Sequence, residues 1–395
     1  MISDMEQLLY QYNPHWANSE IKNGYIERPL VFSTLVDQLP NKHIIFLSGL
    51  RRIGKTTILR MMIQHLLKSE NVEPHKVFYV SLDNYLLRDS NLFDIINEYR
   101  KLHDIKYDEF TYFFLDEVTY LKDYEQQLKN LYDLNNCKIF ASSSNASVLK
   151  SSKAYLTGRS RLIEIPPLDY NEYLLFKNIK IQNADFHFHE KYFLEFLKTG
   201  GIPEYILSED VAYIQDLIDD IIYKDIIARH QLKNPKLLQD FFLLLMERSG
   251  KQFSITKMAK ILEISTETAK RYLEYFADTY LIYLVERHGK TNERILSPKK
   301  IYAADLGIRN LYTGFRDIGA LFENYVYLKI RHLKPEYLYE NKTEIDFITN
   351  EFLIEAKYKN AEMSPKQEQL FNSITDREKI IVRDHFDLKL FDKFQ

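Results

Sequence analysis

The residues best suited to chemistry come first at Gly49-Leu-Arg-Arg-Ile-Gly54-Lys55-Thr56-Thr57, a G-x-x-x-x-G-K-T spacing. Glycines at 49 and 54 let such a loop wrap closely round a phosphate. The backbone N–H groups of Arg52, Ile53, Gly54, Lys55, Thr56 and Thr57, at the head of a helix, then point at the anion. Lys55 is placed to reach β- and γ-phosphates, and the Thr56 hydroxyl to sit on Mg²⁺. About 60 residues later, Thr111-Tyr-Phe-Phe-Leu115 runs straight into Asp116-Glu117. Asp116 is expected to hold Mg²⁺ and Glu117 to polarise the attacking water. Ser144, in Ser142-Ser143-Ser144-Asn145, either senses the γ-phosphate or belongs to a polar turn. Arg159 either stabilises charge on the γ-phosphate, from its own or a neighbouring subunit, or is a surface arginine.

A second constellation lies near the C-terminus. Asp346 is followed nine positions later by Glu355-Ala356-Lys357, the core of the PD-(D/E)xK nuclease pattern. Residues 355 and 357 point to the same side of a strand, and Asp346 on a neighbouring strand can face them. Two carboxylates and the Ala356 carbonyl suit Mg²⁺, with Lys357 orienting a hydroxide or neutralising the phosphate. Glu323 adds a carboxylate from the preceding helix, and Gln367 is a further candidate. An ordinary ion-pair cluster on an amphipathic hairpin, or a nuclease fold that binds without cutting, fits the same residues.

The elements that must position these groups can be read from periodicity. Ile44–Leu47, Val77–Leu82, Thr111–Leu115 and Cys137–Ala141 are short apolar runs, and helix-periodic segments alternate with them. Such alternation predicts a parallel α/β sheet with its motifs at the C-terminal strand ends. Before it, a lead-in carries helices at 5–12 and 29–39. Tyr12, Trp16 and Arg28 there either flank a nucleotide base or simply pack. From Asp169 to Met246 the pattern is helical, with a turn at Gly200-Gly201-Ile202-Pro203 and one long helix over 210–228. Ser254 and Ser265 each begin a helix around a turn at Glu263-Ile264, which reads as helix-turn-helix. A strand at 281–285 follows. Residues 287–300 then carry five basic residues and one acid, and read as a basic wing able to grip phosphates. The mixed charge of the second helix leaves DNA contact and protein contact both open.

The 395 residues suggest two or three domains; 45% are hydrophobic and 28% charged, which indicates a globular chain. A net charge of −3 excludes nucleic-acid binding driven by global charge, so any such site is a local patch. The single cysteine, Cys137, rules out an internal disulfide and suits a reducing, cytoplasmic setting. The first residues lack the basic and apolar regions of a signal peptide, and no apolar run is long enough to span a membrane.

GLRRIGKTT, FFLDE, SSSNAS, LTGR, PLDYNEYL and TGGIPEYI fall in an order that resembles the archaeal and bacterial P-loop ATPases related to the AAA+ and STAND groups. The resemblance spans nearly the whole chain; in many relatives the Ser142-Ser143-Ser144 segment reads Thr-Gly-Ser. It implies an α/β fold in four parts: a P-loop NTPase core with its lead-in (1–167), a helical lid (168–248), a winged helix (249–300) and a restriction-endonuclease-like domain (301–395). It further implies an ATPase using ATP and Mg²⁺, able to form a homo-oligomer. Its nucleotide state would be coupled to a module directed at nucleic acid, either as a Mg²⁺-dependent nuclease or, in the STAND manner, as a non-catalytic DNA- or protein-binding module.

Overall fold

The computed structural model describes residues 4–17, 24–134, 136–145 and 156–394. Asn135, the expected end of one helix, and Ala146 and Ser147, which close the SSSNAS stretch, lie outside these. The chain forms two compact units, Met1–Pro166 and Pro167–Gln395.

In the first unit β1 (Ile44–Ser48), β2 (Val77–Ser81), β3 (Thr111–Asp116), β4 (Cys137–Ser143) and β5 (Ser160–Glu164) are all parallel, in the order β2-β3-β4-β1-β5. Every residue of β1 and β4 is buried, because helices cover both faces of a parallel sheet. The helices α1 (Asp4–Tyr12), α2 (Pro29–Val36), α3 (Lys55–Lys68), α4 (Leu92–His103) and α5 (Tyr124–Leu134) complete the unit. The lead-in protects an edge of the sheet. Asn13 Oδ1 accepts from the Tyr79 N–H at 2.7 Å, and Asn13 Nδ2 donates to the Tyr79 carbonyl at 2.8 Å. An otherwise open edge strand is thereby closed by one side chain. Trp16 stacks on Tyr99 and donates to the Val77 carbonyl at 3.0 Å. Arg28 is buried and donates to the Pro166 carbonyl. Both residues pack within the protein.

In the second unit β6 (Gln252–Phe253), β7 (Ile282–Val285) and β8 (Lys299–Ala303) form an antiparallel sheet with β8 in the centre. The helices Ile255–Ile261 and Thr266–Asp278 stand beside it, capped by Ser254 and Ser265, and Glu263 takes the left-handed conformation at the turn between them. β9 (Glu336–Glu340), β10 (Thr343–Ile348), β11 (Phe352–Ala356) and β12 (Glu378–Val382) form a mixed sheet in the order β12-β11-β10-β9. Phe347 pairs with Ile354 across the β10–β11 hairpin.

Three expectations change here. The boundary expected at 300/301 cuts through β8, whose residues on either side pair with β7 as one strand. The stretch expected as a lid, from residue 168, does not stand apart. Leu168, Tyr170, Phe193 and Phe196 share one apolar cluster with Tyr302, Phe322, Phe347, Phe352 and Phe391. The long helix over 210–228 is α-helical for Val211–Asp219 and π-helical for Asp220–Ala228. The wider turn keeps Ile221, Ile222 and Ile226 on the buried face.

The Gly200-Gly201 turn is a packing feature. A Cβ at Gly201 would strike the Leu168 carbonyl, and one at Gly200 the Asp305 carboxylate. Asp305 is buried and caps its helix, accepting from the Ile308 N–H at 3.0 Å and from the Gly201 N–H at 2.5 Å.

Candidate functional site

β1 delivers the Gly49–Thr57 loop, and α3 begins at Lys55. Gly54 precedes the helix at φ 95°, with no side chain capping the first turn and open space where a Cβ would lie. A helix start with no side-chain cap is a setting that suits an anion. Arg52 is also left-handed, at φ 60°. Gly49 is required for a different reason from the one expected: a Cβ there would lie 2.5 Å from the Ile165 carbonyl oxygen. The Ile53 side chain is buried and anchors the loop.

β4 lies between β1 and β3, so its end spans the gap between the loop and the acidic pair. Lys55 Nζ donates to the carbonyls of Gly49 and Leu50 and to Ser144 Oγ, the last at 2.8 Å. Ser144 Oγ donates onward to Glu117 Oε1 at 2.7 Å. Thr56 Oγ1 donates to Asp116 Oδ2 at 2.6 Å. Asp116 also accepts from the Tyr79 hydroxyl at 2.9 Å and from the Ser142 hydroxyl. The Glu117 N–H donates to Ser142 Oγ at 2.9 Å, and Glu117 itself is left-handed, at φ 51°. A non-glycine residue held there is an unusual backbone state that its surroundings impose.

The hydroxyl of Thr56 faces the carboxylate of Asp116, and uncapped N–H groups stand beside them. This donor set fits Mg²⁺ with a nucleotide phosphate. Ser142 belongs to the hydroxyl run offered for the γ-phosphate, but here it holds Asp116 and the Glu117 N–H. Tyr79 escaped the sequence reading; the available signal was a hydroxyl-bearing ring in an otherwise apolar strand next to the acidic one. Arg159 is not brought to this cluster. It precedes β5, whose first residue pairs with Ile44 at the start of β1, and it forms a two-pronged ion pair with Asp133 at 2.9 and 3.2 Å. The length of β1, on the order of 13 Å, separates that edge from the loop. A role for Arg159 on the γ-phosphate of its own chain is thereby excluded.

The second constellation is also assembled. Asp346 sits where the β9–β10 register shifts between Ile345 and Ile348, and such irregularities re-aim side chains. Asp346 Oδ2 accepts from the Ala356 N–H at 3.0 Å, and the Asp346 N–H donates to Glu355 Oε2 at 3.0 Å. Glu355 Oε1 takes Lys357 Nζ at 2.7 Å and Gln367 Nε2 at 3.0 Å. Glu323, from the helix Ile318–Ile330, accepts from the Tyr302 hydroxyl at 2.7 Å.

Lys300 was expected in the basic wing, but its fully buried ammonium lies inside this cluster. It stands 2.7 Å from Glu323 Oε1, 2.7 Å from Glu344 Oε1 and 3.3 Å from Asp346 Oδ1. Gln252 holds the other Glu344 oxygen at 2.7 Å. Burial raises the pKa of Glu355 and of Glu323, and the charge of Asp346 raises both further. Burial alone would lower Lys300, yet the carboxylates of Glu323, Asp346 and Glu344 hold it well above the ordinary lysine value. Lys300, Glu344, Tyr302 and Gln252 were missed because their approach depends on how β8 and β6 are placed. Among the described residues, no three His, Cys, Asp or Glu side chains are grouped so as to hold a metal ion.

Much of the wing's basic charge is engaged, although Lys290 is exposed. Arg287 donates to the Tyr339 carbonyl, Arg294 pairs with Glu286 and Glu336, and Lys299 pairs with Glu286. Residues expected as an open wing include a helix, Thr291–Leu296.

Comparison with known proteins bears on the domain that carries the first site. Residues 41–174 match the AAA domain family, and residues 190–318 match a domain of unknown function, DUF8612. The chain is 24% identical over 348 residues to an uncharacterized protein of Haemophilus influenzae, covering 83% of this chain and 84% of that one. Among solved structures, matches include AMPPCP-bound DnaA from Aquifex aeolicus (15% identity, TM-score 0.29, 68% of this chain and 92% of that one) and C. elegans PCH-2 (15%, TM-score 0.32, 62% and 66%). No helix among the described residues is long and apolar enough to cross a membrane. The uncharacterized protein MJ1544 of Methanocaldococcus jannaschii is 30% identical over 358 residues, 84% of this chain and 78% of that one. This chain therefore belongs to the same family as MJ1544, and carries an AAA-type P-loop domain in its N-terminal part.

Proposed function

We propose that this protein is an ATP-binding and ATP-hydrolysing switch of the AAA+/STAND-related type, whose nucleotide state is coupled to its C-terminal module. The observation that carries the reading is the unbroken chain Lys55–Ser144–Glu117, beside the Thr56–Asp116 pair. The uncapped start of α3 binds the phosphates, and Lys55 leaves its carbonyl partners to meet the β- and γ-oxygens. Thr56 and Asp116 would hold Mg²⁺, which neutralises charge on those oxygens when bound. Glu117 accepts a proton from the water that attacks the γ-phosphorus, as the bond to the ADP oxygen breaks. Ser144 orients the Glu117 carboxylate through Oε1, and Tyr79 and Ser142 fix Asp116. Arg159, displaced from the loop of its own chain, remains available only to a neighbouring subunit of a homo-oligomer.

ATP turnover and nucleotide binding in Lys55→Ala and Glu117→Gln test the reading. Lys55→Ala should lose productive binding, and Glu117→Gln should bind yet lose turnover by about 10²–10⁴-fold. Turnover at the wild-type rate in Glu117→Gln would remove Glu117 as the base.

For the C-terminal module we infer a nucleic-acid-directed role from the helix-turn-helix pair beside β6–β8 and from the hairpin carrying Asp346, Glu355 and Lys357. Of the two forms of that role, the seat of Lys300 among the carboxylates favours a module that does not cut. Salt-dependent DNA binding without Mg²⁺-dependent nicking is the expected result. Nicking abolished by Lys357→Ala would restore the nuclease reading.

A further inference from the structure

The carboxylate site of the second unit carries its own cation. An ammonium has three N–H donors, and Lys300 has three carboxylate partners: Glu323, Glu344 and Asp346. Their oxygens stand 2.7, 2.7 and 3.3 Å from Nζ. These are hydrogen-bond spacings, well beyond the roughly 2.1 Å that Mg²⁺ demands. The second oxygens of Asp346 and Glu344 and both oxygens of Glu355 are also engaged. Asp346 Oδ2 is held by the Ala356 N–H, Glu344 Oε2 by Gln252, and both Glu355 oxygens by Lys357, Gln367 and the Asp346 N–H.

The lysine is delivered by a rigid element. β8 is the central strand of its sheet, with Lys300 opposite both Gln252 and Val285. Lys300 and Tyr302 alternate onto one face of β8, and both reach Glu323. The small sheet beside the helix-turn-helix pair thus supplies a cation, a phenol and an amide to carboxylates that belong to the four-stranded sheet and its helix. A charge buried this completely is stable only with its partners in place, so the arrangement is a built one.

We infer that Lys300 is the resident cation of this site and that it excludes a divalent metal from the Asp346–Glu355 carboxylates in the conformation seen here. The inference rests on reading the β10–β11 hairpin as endonuclease-like, and it deepens that reading: metal chemistry at this site requires β8 to withdraw Lys300. Withdrawal would leave Glu323, Glu344, Asp346 and Glu355 facing one remaining ammonium, that of Lys357; because no three such side chains among the described residues are grouped for a metal as they stand, binding a divalent ion also requires these carboxylates to close in.

The test is Mn²⁺ binding to the nucleotide-free full-length chain, with free Mn²⁺ read by electron paramagnetic resonance. Wild type and Asp346→Asn should bind the same number of ions. Lys300→Met should gain one ion per chain, and Lys300→Met combined with Asp346→Asn should lose it again. An ion in wild type that Asp346→Asn removes would overturn the inference while leaving the endonuclease-like reading intact. A folded Lys300→Met protein that gains no ion would overturn both. Should the Lys300 variant fail to fold, wild type alone decides through Fe²⁺ and ascorbate. Oxidative backbone cleavage within 343–356 would refute the inference, and its absence there would support it. ATP turnover reads a different site, so neither result can be confused with failure of the Glu117 assignment.

Discussion

Ser144 stands 2.7 Å from Glu117, its hydroxyl donating to one oxygen of that carboxylate while accepting from Lys55 on its other side. The relationship joins the lysine at the head of α3 to the acidic residue through one hydroxyl at the end of the intervening strand. Loss of the γ-phosphate would change what Lys55 pairs with, and Ser144 would relay that change to Glu117.

Ser144 is accordingly a positioning residue. Ser144→Ala should lower kcat by about tenfold with little change in KM, because a hydrogen bond to a charged group is lost without loss of a phosphate ligand. Ser144→Thr keeps the hydroxyl and should recover much of the rate. Steady-state turnover of the two variants makes the comparison; equal rates for Ala and Thr would dissolve the relay.

Glycines 54 and 201 differ in what they cannot lose. Gly54→Ala meets open space but keeps φ at 95°, so it should cost about 1 kcal/mol of stability and impair phosphate binding. Gly201→Ala meets the Leu168 carbonyl, a backbone atom that cannot rotate away, and should cost about 3 kcal/mol with no direct effect on the nucleotide site. Urea midpoints separate the two, provided each unit is followed by its own probe.

Trp16→Ala tests the lead-in. Trp16 stacks against both Phe78 and Tyr99 and donates to the Val77 carbonyl; being half-buried, it should cost about 3 kcal/mol on truncation, the low end for emptying an aromatic site. Nucleotide affinity in the folded variant should be unchanged, as measured by titration of a fluorescent ATP analogue. A loss of affinity with no loss of stability would return Trp16 to the base.

Four of the five strands of the first unit could be read from sequence because each is a short apolar run ending at a turn or an acid, a local signal; β5, Ser160-Arg-Leu-Ile-Glu164, carries a serine and two charges and gives no such run. Strand order is not local. That β4 lies between β1 and β3, and so makes Ser142 and Ser144 bridging groups, follows only from pairing. The displacement of Arg159 has the same origin, since it depends on where β5 begins against β1. Asp346, Glu355 and Lys357 stood out by spacing on one hairpin. Lys300 did not, because its basic neighbours Lys290, Arg294 and Lys299 made a run that looked solvated. The alternation of Lys300 and Tyr302 with Ile301 and Ala303 was the only sign of two faces, and both of those faces proved to be buried.

Two buried groups of the second unit set opposing pH dependences. Burial raises the Asp305 carboxyl from its ordinary 3.8 to about 6, against the opposing pull of the N–H groups of Gly201 and Ile308. The folded state then binds more protons than the unfolded one between about pH 4 and 6, so this contribution is fully present below the lower value and is lost as pH rises through 6. Burial lowers His385 to about 3 from 6.5, helped by His189 and Lys389 and resisted by Asp387. Its neutral form is the folded form, so its contribution is present above 6.5 and is lost as pH falls towards 3. Between pH 4 and 6 the slopes cancel, each at most about 1.4 kcal/mol per pH unit and smaller for the partly exposed histidine. Burial raises Glu355 and Glu323 as well, so the test reads slopes relative to wild type. His385→Phe should fall more steeply than wild type as pH rises, and Asp305→Asn less steeply, though from a lower level because an amide nitrogen cannot accept from the Gly201 N–H. Urea unfolding of the three proteins at half-unit steps from pH 4 to 6.5 reads the slopes. Parallel curves would show that neither group is titrating where burial places it.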